Sequence, residues 1–290
     1  MKLENRLPAE GINSSDENPL KELAWLVAGG LAAVFLLVFT VSLAAQWLAP
    51  RIPYKYEAKL AATLPPFATT PDNEAGRAVQ KELQGIADRL AARMQLPSEM
   101  ALRIGYRDEA TVNAFATLGG QVVFFRGLLT RLESEDALAM VMAHELAHLK
   151  YRHASAALGR GVAIGVILSV ISSDLGSSAA GNVLSTAGLA TLLSFNRDQE
   201  RDADEAALQA LHAEYGHIGG AVDLFNVMQT LPGGKRESGS AAVELLRTHP
   251  LTQSRVNSVA IWASNNGAAT DRPRRPLPPA IASLRAVNKP

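Results

Sequence analysis

The sequence contains no cysteine, so disulfide staples, thiolate ligands and thiol nucleophiles are excluded from its chemistry. It has no excess of either charge: 28 Lys and Arg balance 28 Asp and Glu, a formal net charge of +0. A neutral chain lacks the electrostatic footprint of a polyanion partner, so no nucleic acid is expected to bind. Aromatic residues are sparse at 6 % and do not interleave with basic residues in the pattern that stacks bases. There is no internal repeat and no glycine-rich phosphate loop.

What the chain does have is a long apolar run. From Ala24 to Pro50 no residue is charged, and Leu31 to Leu43 is nearly all hydrophobic. That run is long enough to cross a hydrocarbon core of ~30 Å, with Trp25 and Trp47 placed as interfacial anchors. A cleaved signal peptide has a shorter apolar region nearer the terminus, and a buried core helix is the other alternative. The pattern predicts a polar tail (1–23), one transmembrane helix (24–48) and a Pro-containing linker (49–73). Lys2, Arg6 and Lys21 before the run and Arg51, Lys55 and Lys59 after it give no charge bias. A short tail before a single span commonly stays inside, which places the remainder outside the cytoplasmic membrane with membrane lipid as a partner. Residues 74–265 read as one domain of ordinary size. Residues 266–290, rich in Pro and Arg, read as an extended tail.

Within the domain, His144-Glu145-Leu146-Ala147-His148 has the HExxH spacing of a catalytic zinc site. On a helix, positions i and i+4 share a face, so both imidazoles reach one metal, and Glu145 can serve a bound water as general base. The alternative is an amphipathic helix with two surface histidines. The flanks favour the first. Ser134 is placed to cap a helix whose first turn carries Glu135 and Asp136, and Ala137 to Ala143 is apolar throughout. Histidines in so apolar a helix are buried and need partners.

A zinc protease needs three protein ligands and one open position. The HExxHxxGxxH pattern is ruled out, because Tyr151 stands at its glycine and Ala154 at its third histidine. His153 lies nine residues after His144, on the opposite face of an extrapolated helix, and reads as a surface residue. Glu200 offers the third ligand instead. Glu200 and Asp204 are again i and i+4 in a segment with helical composition, so Glu200 can bind metal while Asp204 accepts the second N–H of a ligating histidine. A solvated, salt-bridged helix face is the alternative reading of those charges.

The combination His144-Glu-Leu-Ala-His148 with Glu200-Arg-Asp-Ala-Asp204 resembles the HtpX-like zinc metallopeptidases, gluzincins that include the type 1 CAAX prenyl proteases. The resemblance runs from about Glu74 to Trp262. It includes Asn113 to Leu129, Ser134 to Leu138, and Thr248-His-Pro-Leu251 followed by Arg255. It departs at Asp202, where many relatives have glutamate. It implies an α+β, mainly α-helical zincin-like domain with a small β-sheet. It also implies one zinc ion per chain on His144, His148 and Glu200, Glu145 as the catalytic base, Asp204 behind the ligands, and protein or peptide substrates.

Gln121 to Phe125 is β-branched and aromatic between glycines and predicts a strand, either an edge that pairs with substrate or an ordinary core strand. His249, before Pro250, is expected at a loop or helix start, as a solvated turn residue, a regulatory ligand or an oxyanion partner. Val162 to Phe195 reads as a helical hairpin packed on the domain or dipping into the bilayer surface, although some relatives place membrane spans there. Leu231 to Ala241 reads as a mobile loop, a candidate lid. The expected function is membrane-anchored zinc endopeptidase, in quality control or processing. The alternative is a zinc-stabilised protein that captures clients without cutting them.

Overall fold

In the computed structural model the described residues are 18–48, 51–63, 67–157, 195–231 and 244–286. The expected hairpin (162–195) and candidate lid (231–241) fall almost wholly outside them. Helix α1 (Pro19–Leu48) contains the predicted span. An 18-residue stretch within Pro19–Ala44 has mean hydropathy 2.5, and the helix's large apolar side chains, Trp25, Phe35 and Trp47 among them, are exposed. Among the described residues it makes no extensive contact with another element, and by length and composition it is able to cross a membrane.

A short helix, α2 (Tyr54–Ala61), follows within the expected linker and is tied to the domain by a buried side chain. Glu57 Oε1 accepts the Gly119 N–H at 2.9 Å. Its Oε2 accepts the Ser155 hydroxyl at 2.6 Å and forms an ion pair with Arg152 Nε at 2.9 Å. Helix α3 (Glu74–Met94) starts at Asn73, whose side chain caps Gly76 N–H at 2.6 Å. Val79, Leu83, Ile86 and Leu90 recur at helical spacing and are buried on the face toward β1 and α5.

The sheet has three strands, β1 (Arg103–Arg107), β2 (Ala114–Thr117) and β3 (Gln121–Phe125), in the order β1-β3-β2. β1 runs parallel to β3 and β2 antiparallel to it. The strand expected at Gln121–Phe125 is therefore present with those bounds, but it is the central strand, buried at every position. Its uninterrupted Val-Val-Phe-Phe run is what a strand covered on both faces requires. The edge beside the metal helix is β2. Gly119 and Gly120 turn the chain between them with φ of 71° and 74°.

After the single turn α4 (Arg126–Leu129), helix α5 (Glu135–Lys150) runs through the middle of the domain. Ser134 caps it as expected, accepting Ala137 N–H at 3.1 Å. Every residue from Asp136 to Leu149 is buried, so α5 is a core helix enclosed by α3, β2 and the helices that follow. Burying each of its Leu and Met side chains contributes roughly 1.5–3 kcal/mol. Helix α6 (Arg197–Tyr215) lies along α5. Its start is set by a capping box in which the Asn196 side chain accepts from Gln199 N–H while the Gln199 side chain accepts from Asn196 N–H.

Helix α7 (Gly219–Thr230) crosses the start of α5 closely: a β-carbon on Gly220 would sit 2.2 Å from the Asp136 carbonyl oxygen. Helices α8 (Glu244–Thr248), α9 (Gln253–Asn266) and α10 (Pro279–Ala286) complete the described chain. The described part of the segment expected as an extended tail (266–286) is instead docked. Pro276 bridges to Ser134, Arg275 N–H donates to Asp136 Oδ2 at 2.7 Å, and Glu82 accepts Ala280 and Ile281 N–H at 3.1 Å each. Leu277 and the fully buried Ile281 supply the apolar hold that a count of Pro and Arg conceals.

Gly220→Ala is expected to destabilise the domain by about 1–3 kcal/mol, because the new methyl meets backbone that cannot swing aside. Calorimetry should show a fall of several degrees in Tm, on the order of 2–4 °C per kcal/mol.

Candidate metal centre

His144 and His148 project from one face of α5, one turn apart, toward Glu200 on α6 and His249 just beyond α8. One donor atom from each of these four residues lies within 4.8 Å of all the others, and all four are buried. His144 Nε2 is 3.1 Å from His148 Nε2 and 3.2 Å from His249 Nδ1. Glu200 Oε1 is 2.9 Å from His249 Nδ1 and 3.5 Å from His148 Nε2, and its Oε2 is 3.5 Å from His144 Nε2.

This donor set fits a metal ion. Ring nitrogens that face one another need a proton or a cation between each pair, and neutral imidazoles have too few protons to supply them all. His249 Nε2 and Glu200 Oε2 are buried without a hydrogen-bond partner. Three nitrogens and one carboxylate oxygen form a set used by zinc and its neighbours. A tetrahedron with ~2.0–2.1 Å bonds has edges of about 3.3 Å, close to the 2.9–3.5 Å between these donor pairs.

Behind the donors, Asp204 Oδ1 lies 3.0 Å from His144 Nδ1, the relation expected from the i, i+4 spacing on α6. Arg255 on α9 then holds Asp204 with two bonds, Nε to Oδ2 at 2.7 Å and Nη2 to Oδ1 at 2.8 Å. Its Nη1 stands 2.6 Å from Glu200 Oε2, near enough for an ion pair but not aligned as a hydrogen bond. The Glu145 carboxylate adjoins the cluster. Its Oε2 accepts Ala116 N–H of β2 at 2.8 Å, and Oε1 lies 3.4 Å from His249 Nε2.

The electrostatics separate the two HExxH histidines. Burial works against a charge on His144, but hydrogen bonds to Asp204 and Glu200 outweigh it and push its pKa up to about 10. His148 is held well below its usual value by burial, which its bond to Glu200 does not offset. Burial raises Glu145, partly opposed by His249 and His144. Glu200 and Asp204 are both lowered despite their burial, Glu200 chiefly by His249 and the other histidines, Asp204 by Arg255 and His144.

The structure thus brings together His144, Glu145, His148, Glu200, Asp204 and His249. His249 lies in the bend just after α8, the loop position expected, with its N–H donating to Leu245 O at 2.8 Å, but it is buried rather than in a solvated turn. The surface reading of His153 is overturned. It is 7 % exposed, with Nδ1 2.9 Å from His148 Nδ1. Helix α5 stops at Lys150, and Arg152 adopts φ 61°, so the chain reverses and returns His153 to the cluster. Sequence reasoning also missed Phe195, which stacks on His148 with centroids 3.8 Å apart at 17°, and the role of Arg255. A cation six residues after His249 was the available signal for Arg255. Among the described residues, the cavity touching His144, Glu145 and His249 is about 20 Å³, room for one water.

An HExxH helix, a glutamate from a second long helix and a small sheet whose edge strand meets the HExxH glutamate define a domain of the metallopeptidase class. The chain belongs to Peptidase family M48, whose profile matches residues 77–263. It is similar to the mitochondrial metalloendopeptidase OMA1 of Schizosaccharomyces pombe, 34 % identical over 156 residues, covering 53 % of this chain and 44 % of that protein. It is also similar to the beta-barrel assembly-enhancing proteases of Escherichia coli K12 (34 % over 154 residues; 50 % of this chain, 31 % of that one) and Yersinia pestis (31 % over 156; 50 % and 31 %). The chain spans less than half the length of these curated relatives.

Near pH 7.5 a metal entering the site must displace the proton of His144, whose pKa is about 10, whereas His148 already offers a lone pair. Zinc uptake is expected to release about one proton per chain from this pair. Titration calorimetry in buffers of differing ionisation enthalpy measures it, and a heat independent of buffer would show His144 neutral beforehand.

Proposed function

We propose that this chain is a membrane-anchored zinc endopeptidase, with α1 as a single span, residues 74–265 as the catalytic domain, and His144, His148 and Glu200 as zinc ligands. The observation that carries the reading is the position of Glu145. It is a buried carboxylate beside the converging donors, with one oxygen on the backbone of the edge strand. A non-catalytic zinc scaffold has no need of a base there.

Zinc held by the three ligands would supply Lewis acidity, acidifying water and polarising the scissile carbonyl. Glu145 takes the proton of the attacking water and delivers it to the leaving amine. Burial raises its pKa, which brings it nearer the working pH and suits it to both transfers. Asp204 accepts the Nδ1 proton of His144, so that Nε2 presents its lone pair, and Arg255 fixes Asp204 in turn. An extended substrate backbone lies along β2, whose outer side is the open edge of the sheet next to α5.

His249 acts as a regulatory fourth ligand. Its Nδ1 points among the donors rather than toward a carbonyl site. Substrates are proteins being assembled or turned over at a membrane. The names of the bacterial relatives point to assembly, and the anchor confines the domain to a bilayer surface.

Metal analysis and casein cleavage by the full chain test the assignment. Glu145→Gln is expected to keep zinc and to lose activity by on the order of 10²–10⁴-fold. Equal inactivity of wild type and variant, both zinc-loaded, would favour client binding without proteolysis. His249→Ala is expected to bind zinc more weakly and cleave faster. Unchanged zinc affinity with slower cleavage would instead make His249 an oxyanion partner.

A further inference from the structure

His153 is buried beside the centre, yet the scheme above gives it nothing to do. Its Nδ1 lies 2.9 Å from His148 Nδ1, with the two rings 5.0 Å apart at 64°. The opposite nitrogen of His148, Nε2, is turned into the donor cluster, 3.1 Å from His144 Nε2. Phe195 covers one face of the same ring. The two edges of His148 therefore face different tasks. A ligating Nε2 presents its lone pair, so the ring's proton sits on Nδ1. That N–H is aimed at His153. Protons on both Nδ1 atoms would set two donors head to head, and protons on neither would oppose two lone pairs.

We propose that His153 is a positioning residue for the metal centre: as the Nε2–H tautomer it accepts the His148 Nδ1 proton, which fixes His148 to present Nε2 to the metal. The inference rests on the reading of His148 as a ligand. It gives the two ligating histidines different partners behind them, a carboxylate for His144 and a neutral imidazole for His148. Outer partners of this kind set the ring orientation and basicity of a ligand. The placement does not depend on helical spacing. The Arg152 turn at φ 61° aims His153 inward, and the Arg152 guanidinium is held by Glu57 and by the Ile52 carbonyl at 2.7 Å. The turn that delivers the acceptor is thus pinned from α2.

The test is zinc affinity of the full chain in detergent, by chelator competition, for wild type, His153→Asn and His153→Phe. Asparagine keeps an acceptor oxygen near the Nδ1 position, whereas phenylalanine keeps the ring and removes the acceptor. His153→Phe is expected to weaken zinc binding by about 10- to 100-fold, and His153→Asn to recover it to within about threefold of wild type. A role in filling space predicts the reverse order. A second measurement needs no variant to fold. With six histidines in the chain, selective ¹⁵N-histidine labelling and a long-range ¹H–¹⁵N spectrum of the zinc-loaded protein should show His153 neutral with its proton on Nε2. Equal affinity in His153→Phe, or a proton on His153 Nδ1, overturns the proposal. Wild type that takes up no zinc overturns the ligand reading itself, and is told apart because no variant is involved.

Discussion

The structure turns on buried negative charge. Glu145, Glu200 and Asp204 lie within one cluster, each almost fully buried, and a single guanidinium, that of Arg255, is packed among them. An ion taken out of water without compensation costs several kcal/mol even after relaxation. The fold meets that cost with a further cation, either a proton on His144 or a divalent metal among the donors. Much of the architecture serves this balance. Helix α5 is apolar enough to bury its histidines, α6 runs alongside to face them with two carboxylates, and α9 brings Arg255 across to both. Leaving one of these charges unpaired would harm the domain more than an exposed salt bridge could help it.

The parts of this site written on helices were legible in the sequence. HExxH and Glu200-to-Asp204 are each an i, i+4 pair, and α5 and α6 keep that periodicity through the residues concerned. The bridge from Asp204 to His144 Nδ1 followed from the same geometry, as did the Ser134 cap. Where the chain leaves a helix, the periodicity fails as a guide. His153 was extrapolated along an α5 that had ended three residues before it, and nothing local marks Arg152 as a residue of positive φ. His249 comes from a five-residue helix whose place is set by tertiary packing. The strand at Gln121–Phe125 was visible as a strand, but sheet order is a long-range property. A chain of Val and Phe does not say which neighbour lies on each side. The docked C-terminal segment was hidden for a similar reason, since its hold depends on Leu277 and Ile281 meeting a surface made elsewhere.

Helix α2 links the span to the centre more tightly than a linker would. Glu57 reaches the β2–β3 turn through Gly119 N–H, and the reversal after α5 through Ser155 and Arg152. Tyr54 adds its hydroxyl on the Leu149 carbonyl and its ring under the Arg152 guanidinium, 4.0 Å away. The turn after the edge strand, the last turn of the metal helix and α2 are therefore tied to one another. An apolar helix held in this way would set the height and attitude of the centre relative to a bilayer that it crossed.

The centre is also assembled from distant parts of the chain. His144 meets His249 across 105 positions, Glu200 meets His249 across 49, and Arg275 reaches back 139 to Asp136 at the start of the metal helix. Contacts this long pay their loop-closure entropy before any interaction rewards them, so they form late. Because a chain is made from its N-terminus, the span and the HExxH helix emerge before the residue that closes the fourth corner. Membrane insertion can thus precede completion of the centre. A chain anchored by α1 would thus be tethered before its metal centre is complete.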